Sequence, residues 1–331
     1  MTADSTRPVL RGDRQRLWRA ADTLQLGRNP GQGAVLAGLD EITRRVLPLL
    51  DGTRPRERLL ADAERAGCPA PRTTALLGLL EAAGMVQDSA GAARLGRTRE
   101  ERERLPAAAA ARQPRRVLVL GGGRVGSAVA GLLAVAGVGA VDVVDDGTTR
   151  PQDTGVGGPG LADLGRPRGT AARAAVTALA PSVRTDPTEA RPDLVVLAPA
   201  GGLGCDAALE RAPAGSPLLA ATVREAVGVV GPLTLPGVTA CLRCLDLHRA
   251  ERDPDWPMLA VQTGGAGDPG DGTLAAAVAA QAAMQALQWL DGGAPATLDG
   301  TLEVVTPGWR WRRRSWVPHP DCGCRRWRTT A

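Results

Sequence analysis

A glycine-rich turn in the middle of the chain most constrains its fold. The apolar run at residues 117–120 predicts a strand buried on both faces, and a helix is expected at residues 125–136. Between them stands Gly121-Gly-Gly123-Arg-Val-Gly126. Gly121 permits a tight turn, Gly123 lets the backbone approach a phosphate, and Gly126 lets the helix pack closely on the strand. The helix N-terminus would also offer free amide groups to an anion.

The segments after this turn continue the same alternation. A second strand is predicted at residues 141–144, a helix at 170–179 and a third strand at 194–197. Alternating strands and helices are typical of a parallel, doubly wound sheet, so we expect a Rossmann-type α/β domain. Asp145 ends the second strand, 22 residues after Gly123, where an acidic side chain can bind ribose hydroxyls. The sequence alone leaves open whether a nucleotide binds there.

Two closely spaced cysteine pairs predict a metal centre. The first has CxxC spacing, and the second has CxC spacing and begins 78 positions after the first pair ends. The pairs are Cys241 with Cys244 and Cys322 with Cys324. Four thiolates suit a tetrahedral zinc ion, which would close a long loop and stabilise the fold rather than catalyse. The spacing leaves open a redox CxxC, and His319 as a substitute ligand.

Composition narrows the classes of function. The chain has 331 residues, 44% of them apolar, enough for two or three domains with buried cores. It contains no Lys, and its net charge of +5 is carried by arginines interspersed with acids, which does not favour nucleic acid as a partner. Only the run at residues 309–314 is strongly basic, and we expect it to be a strand with solvated arginines.

The same composition predicts a cytoplasmic protein. Residues 1–12 lack the apolar core of a signal peptide. The Ala-rich segment 274–290 is interrupted by three glutamines, so it is interpreted as a buried helix and not as a membrane span. Disulfides are rare in the cytosol, which favours a metal over cystines at the paired cysteines.

The first ninety residues have the pattern of a small separate domain. Short strands at residues 23–26 and 34–36, three amphipathic helices and a terminal strand together indicate a winged helix. Thr53 is expected to cap the second helix, with Pro55 in its first turn. A Gly- and Ala-rich, then charged, segment follows and is predicted to be a linker. The expected divisions are residues 1–90, 91–114 and 115–331.

Together these residues resemble the ThiF/MoeB branch of the ubiquitin-activating-enzyme superfamily. The glycine turn, Gly137-Val-Gly139-Ala-Val-Asp-Val-Val-Asp145, Leu164-Gly-Arg-Pro-Arg168 and the paired cysteines follow that family's order. The run Cys241-Leu-Arg-Cys244-Leu-Asp-Leu-His248, followed by Asp253-Pro-Asp-Trp256-Pro257, is similar to actinobacterial ThiF-like partner proteins of azole-forming cyclodehydratases. Those proteins bind leader peptides in thiazole/oxazole-modified peptide pathways, and the first ninety residues resemble their PqqD-like peptide-recognition element.

The resemblance also implies which chemistry is lost. Active members adenylate a C-terminal carboxylate with an Arg, a Lys and an Asp around ATP and Mg²⁺. The stretch that carries the arginine in that family is Gln152-Asp-Thr-Gly-Val156-Gly157 here, and it contains no arginine. The position of the lysine is taken by Arg168. The segment Leu197-Ala-Pro-Ala200-Gly-Gly lacks the magnesium-binding carboxylate. Phosphoryl chemistry depends on such charges, so no catalytic residue is assigned. The candidate nucleotide-binding residues are Gly121, Gly123, Gly126, Asp145 and Arg168.

The resemblance therefore implies a non-catalytic partner protein. Its winged helix would bind a precursor leader peptide as an added strand, and its ThiF-like domain would form a homodimer and dock a YcaO-type cyclodehydratase. One alternative is an active adenylyltransferase in which Arg168 replaces the lysine and Asp193 or Asp206 binds the metal. Another is a DNA-binding winged helix, which Arg72 as the only basic residue of its third helix does not favour. A third is Cys205 as a nucleophile.

Overall fold

The chain forms two compact units, Met1–Ala110 and Ala111–Ala331, each with its own hydrophobic core. The computed structural model describes residues 6–11, 15–28, 33–88, 109–186, 190–199, 212–263 and 271–324. Within these ranges, none of the helices has both the length and the apolar composition needed to cross a bilayer.

The first unit combines short strands with three helices. Its strands are β1 (Pro8–Leu10), β2 (Arg16–Ala20), β3 (Thr23–Leu26), β4 (Ala34–Leu36) and β5 (Val86–Asp88), and its helices are α1 (Glu41–Val46), α2 (Arg56–Arg65) and α3 (Ala70–Ala82). β2, β3 and β4 form an antiparallel sheet, and β1 pairs with β5. The core that joins them is made mainly of leucine, including the fully buried Leu24, Leu50, Leu59 and Leu77.

Local signals miss two features of this unit. β1 and β2 are not predicted, because three-residue β1 depends on pairing with β5 far along the chain. The predicted cap at Thr53 is wrong. Helix α2 begins after Pro55 without a side-chain cap, and the Thr53 amide instead donates to Asp51 Oδ1 at 2.9 Å. Asp51 also accepts from the Thr53 hydroxyl and from Arg54, so Thr53 belongs to the turn before the helix.

The second unit is built on a seven-stranded mixed sheet in the order β12-β11-β10-β9-β8-β6-β7. Its strands are β6 (Arg116–Leu120), β7 (Ala140–Val144), β8 (Leu194–Leu197), β9 (Leu218–Arg224), β10 (Val227–Thr234), β11 (Gly300–Val305) and β12 (Arg310–Ser315). The short helix α4 (Ala109–Arg112) precedes β6. The other helices are α5 (Arg124–Val135), α6 (Arg168–Leu179), α7 (Leu242–Arg252), α8 (Trp256–Thr263) and α9 (Gly272–Leu290).

Only part of this sheet is parallel, which corrects the prediction of a parallel doubly wound sheet. β7, β6, β8 and β9 run parallel, whereas β10, β11 and β12 are antiparallel. The connections are the cause. Helix α5 carries the chain from β6 to β7, but only Glu225 and Ala226 separate β9 from β10, and so short a loop must reverse the chain. Helices α5, α6 and α9 cover one face of the sheet.

A one-residue strand completes the Rossmann-type order. Arg184 forms a parallel bridge with Ala140 of β7: its amide donates to Gly139 O at 3.1 Å, and its carbonyl accepts from the Val141 amide at 2.9 Å. With this residue counted as the third strand, the parallel part reads third, second, first, fourth, fifth, as in dinucleotide-binding folds. The strand order reverses between β6 and β8, where such sheets bind ligands beyond their carboxyl ends. The glycine turn lies at this point.

Two glycines of the turn are required by space. A Cβ on Gly121, whose φ is 117°, would lie 2.0 Å from the carbonyl oxygen of Ala198. A Cβ on Gly126 would lie 2.0 Å from the carbonyl oxygen of Gly121. Strand β6, the turn and helix α5 therefore touch with no room for a side chain between them.

We expect Gly126→Ala to lower the free energy of unfolding of the second unit by about 1–3 kcal/mol, because the new methyl must displace backbone. Gly160→Ala is the matched control, since a Cβ at Gly160 meets nothing within 4 Å. Denaturant unfolding followed by tryptophan fluorescence would compare the two. Equal stability of the two variants would contradict this account of the turn.

Candidate functional site

A buried cluster of three charged side chains lies beside the glycine turn. Arg168 donates from Nε to Asp145 Oδ2 and from Nη2 to Asp145 Oδ1, both at 2.9 Å, and from Nη1 to Asp153 Oδ2 at 3.0 Å. The exposed fraction of the side chain is 15% for Arg168, 8% for Asp145 and 4% for Asp153. This bidentate, charge-assisted geometry is the strongest pairing that these groups can make.

Asp145 has no acceptor capacity left for a ligand. Besides the two bonds from Arg168, it accepts from the amide of Gly122 at 2.8 Å and from that of Gly147 at 2.7 Å. Four hydrogen bonds are the full complement of a carboxylate. Burial alone would raise the pKa of Asp145, but the bonds from Arg168 and the two amides outweigh it and hold the pKa below its ordinary value. The charged carboxylate is thus tied to the turn.

The surrounding backbone is shaped around the Arg168 guanidinium. A Cβ on Gly147 would lie 2.2 Å from Arg168 Nη2, so a side chain there would force the guanidinium to move. Asp153 is held in place by its own turn, where it accepts from the Arg150 amide at 2.9 Å. Sequence reasoning singled out Asp145 and Arg168 but missed Asp153 as their partner. Asp153 could have been considered as a partner because it lies in the stretch from Gln152 to Gly157, which the resemblance places near the nucleotide.

The other residues expected near a nucleotide do not supply the missing charges. Val156 stands where the resemblance places an arginine, and it is 80% exposed. Ala198 and Pro199 follow β8 without a carboxylate, and residues 200–211, including Cys205 and Asp206, lie outside the described residues. Asp193 precedes β8, at the far end of the strand, and binds Arg115 at 2.9 Å. The described residues that directly follow β8 therefore offer no magnesium ligand.

The four paired cysteines converge near the end of the sheet where the parallel strands begin, opposite the end that carries the glycine turn. Thr234, which ends β10, pairs with Leu218, which begins β9, so the loop to Cys241 leaves the sheet where its parallel strands start. The Sγ–Sγ distances are 3.6 Å for Cys241–Cys244, Cys241–Cys322 and Cys244–Cys324. All four Sγ atoms lie within 4.8 Å of one another.

These distances fit a metal ion and not disulfides. Thiolates about 2.3 Å from a tetrahedral zinc ion are roughly 3.8 Å apart, whereas bonded sulfurs lie about 2.05 Å apart. Burial raises the pKa of Cys241 to about 11. Burial alone would also raise the pKa of Cys244, but the amides of His319 and Cys241 outweigh it and lower that pKa. The cluster could therefore hold a metal ion, which would stabilise its thiolates.

His319 lies beside the cysteines but is otherwise engaged. Its Nδ1 accepts from the Asp321 amide at 3.1 Å, so its Nε2 carries the proton and donates to Glu251 at 2.9 Å. The other carboxylate oxygen of Glu251 lies 3.3 Å from His248 Nδ1, and His248 Nε2 donates to the Val317 carbonyl at 2.9 Å. His319 Nε2 is therefore grouped with His248 and Glu251, and it is not among the four sulfur atoms that converge. Glu251, which ties helix α7 to the C-terminal segment, was not anticipated.

Comparisons with known proteins agree with this architecture. Residues 107–196, which contain the glycine turn and the charged cluster, match the ThiF family. No curated protein sequence matches the chain. The structure of the microcin C7 biosynthetic enzyme MccB in complex with N-formylated MccA has a TM-score of 0.62 and 14% identity, with coverage of 96% of this chain and 99% of that one.

Two further solved structures support the same fold. Escherichia coli MccB with ATP gives a TM-score of 0.60 and 13% identity, covering 96% of this chain and 99% of that chain. PaaA gives a TM-score of 0.58 and 14% identity, covering 92% of this chain and 98% of that chain. At such identities the likeness is one of fold. The protein therefore contains a ThiF-like domain, within a chain whose fold is similar to that of MccB over nearly its whole length.

Proposed function

We propose that this chain is a ThiF-like partner protein that binds a precursor leader peptide and does not itself adenylate a carboxylate. The observation that carries this proposal is the pairing of Arg168 with both Asp145 and Asp153. A nucleotide ribose would have to displace Arg168 from Asp145. Separating one partner from a buried ion pair costs about 3–5 kcal/mol, which a ligand would have to offset before gaining affinity.

The peptide-binding part of the proposal concerns the first unit, taken as a winged helix. MccB has been crystallised with its peptide MccA, which supports peptide handling by this fold. Here β2 is an outer strand of the small sheet, and its Trp18 is 51% exposed with Arg44 of α1 lying 5.8 Å from its ring. An extended leader could pair with β2 and pack on Trp18. Arg72, which a DNA-binding helix would present to phosphates, is instead paired with Asp40 at 2.8 Å.

Assembly with other chains is the remaining part of the proposal. A YcaO-type cyclodehydratase would perform the ATP-dependent cyclisation, and the ThiF-like domain would dimerise. Helix α8 supports an association surface, since Met258, Leu259 and Val261 are 69%, 44% and 82% exposed. We assign zinc to the four-cysteine cluster and a structural role to the ion.

We expect calorimetric titration of the zinc-loaded chain with ATP and Mg²⁺ to show no saturable micromolar binding, because Asp145 is fully hydrogen-bonded to the protein. Escherichia coli MccB, whose structure with ATP is known, serves as the positive control. Micromolar binding together with pyrophosphate exchange would instead establish an adenylyltransferase.

Elemental analysis should find about one zinc ion per chain, and Cys244→Ser should lose it together with thermal stability of the second unit. Cys68→Ala is the matched control. Cys68 is buried in the first unit, where it accepts a hydrogen bond from Thr73 at 3.4 Å. That variant should unfold more easily but keep its metal. A metal-free wild-type chain of full stability would rule out the zinc assignment.

Trp18→Ala should weaken binding of the labelled leader segment of the co-encoded precursor peptide by about tenfold, because ring stacking and buried apolar area are lost. Val35→Ala on β4 is the matched control, since Val35 is equally exposed at 51%. Fluorescence anisotropy would measure both affinities.

A truncation separates this assignment from general damage to the protein. Deleting residues 1–90 should abolish leader binding and leave the zinc content unchanged. Leader binding retained by the truncated chain, or equal affinities of the two point variants, would place the peptide elsewhere.

A further inference from the structure

The outermost strand of the large sheet presents a row of arginines. Every residue of β12 is exposed. Arg310, Arg312 and Arg314 alternate along the strand, so their side chains share one face at intervals of about 7 Å. Their partners on β11 are Val305, Glu303 and Thr301.

The three arginine side chains of this face differ in their contacts with the described residues. Arg314 lies 3.8 Å from Glu303 and 5.6 Å from the ring of buried Trp316. Arg313, on the other face, donates to the carbonyls of Ala296 at 2.8 Å and Leu298 at 3.0 Å, which is a structural role. Arg312 stands directly opposite Glu303, but among the described residues neither Arg310 nor Arg312 forms an ion pair or a side-chain hydrogen bond.

The strand also has an open backbone edge. Within the described part of the sheet, β12 pairs only with β11, so its outer N–H and C=O groups are free to pair with another strand. An apolar strip borders the arginines on the same face. Val305, directly opposite Arg310, is 52% exposed, and Val227 and Val229 of β10 continue the strip at partial burial.

We propose that β12 binds an acidic, extended polypeptide segment, which adds to the sheet as a further strand with its carboxylates opposite Arg310 and Arg312. Alternate Asp or Glu residues of such a strand repeat at the same interval as the arginines. The free backbone groups provide affinity and the arginines select for negative charge. The inference does not depend on the proposed function.

Nucleic acid fits this surface less well. Trp311 pairs with buried Val304, so its ring lies on the core face of β12, opposite Arg310 and Arg312. Base stacking and phosphate contacts would therefore fall on different faces of the strand. A polynucleotide also cannot complete the hydrogen bonds of a strand edge, which a peptide does.

Fluorescence anisotropy with the full chain tests the proposal with a fluorescein-labelled peptide of alternating Thr and Glu. We expect saturable binding that weakens with salt, and at least a tenfold loss when Gln replaces Glu. Arg310→Glu should weaken binding at least fivefold, while Arg310→Lys retains most of it. Arg150→Glu is the matched control for net charge, because Arg150 is also an exposed arginine.

A second probe isolates strand pairing from charge. The same peptide with alternate amides N-methylated keeps every carboxylate but cannot pair with an edge, so we expect it not to bind. Equal binding of the methylated peptide would contradict the proposal that the segment pairs with β12 as an added strand. Tighter binding of an oligothymidylate of equal charge would contradict the proposal that the ligand is a peptide. No binding of the acidic peptide would mean that the arginines only protect the edge against aggregation.

Discussion

One guanidinium group connects the parts of the ThiF-like domain that surround its glycine turn. Arg168 begins helix α6, binds Asp145 at the end of β7, and binds Asp153 in the turn that follows. Asp145 in turn binds the amide of Gly122, so the turn after β6 joins the same network. The positive charge of Arg168 is therefore directed at the two buried carboxylates of Asp145 and Asp153 and not at a ligand. The contacts that organise the local fold are thus the same contacts on which the proposed loss of nucleotide binding rests.

The two ends of the large sheet carry different features. At the carboxyl ends of the parallel strands, backbone segments approach so closely that Gly121 and Gly126 exclude any side chain. At the opposite end, four cysteines bring helix α7 and the segment after β12 together. The first end holds the hydrogen-bonded charged cluster, and the second holds four sulfur atoms close enough together to bind a metal ion. The seven-stranded sheet separates the charged cluster from the cysteine cluster.

The features that could be predicted from the sequence are those that depend on local residue patterns. The strands at residues 117–120, 141–144 and 194–197 and the helices between them follow from apolar runs, and the four cysteines from their spacing. Long-range pairing could not be predicted. The strand at Arg184 is a single residue held by β7, and the pairing of β10 with β11 joins segments separated by helices α7, α8 and α9. Asp153 was missed because its partner, Arg168, lies in another element, and sequence alone gives no contact between them.

The cysteine cluster has a mechanical consequence. A metal bound there would join Cys244 to Cys322 and enclose the 77 residues between them, including helix α9 and the β11–β12 hairpin, in a closed ring. Fully extended, that enclosed chain would measure roughly 270 Å. Tension applied through the two ends of the chain would bypass the ring altogether. The enclosed elements would then bear load only after a metal–sulfur bond had broken, whatever the strength of their own packing.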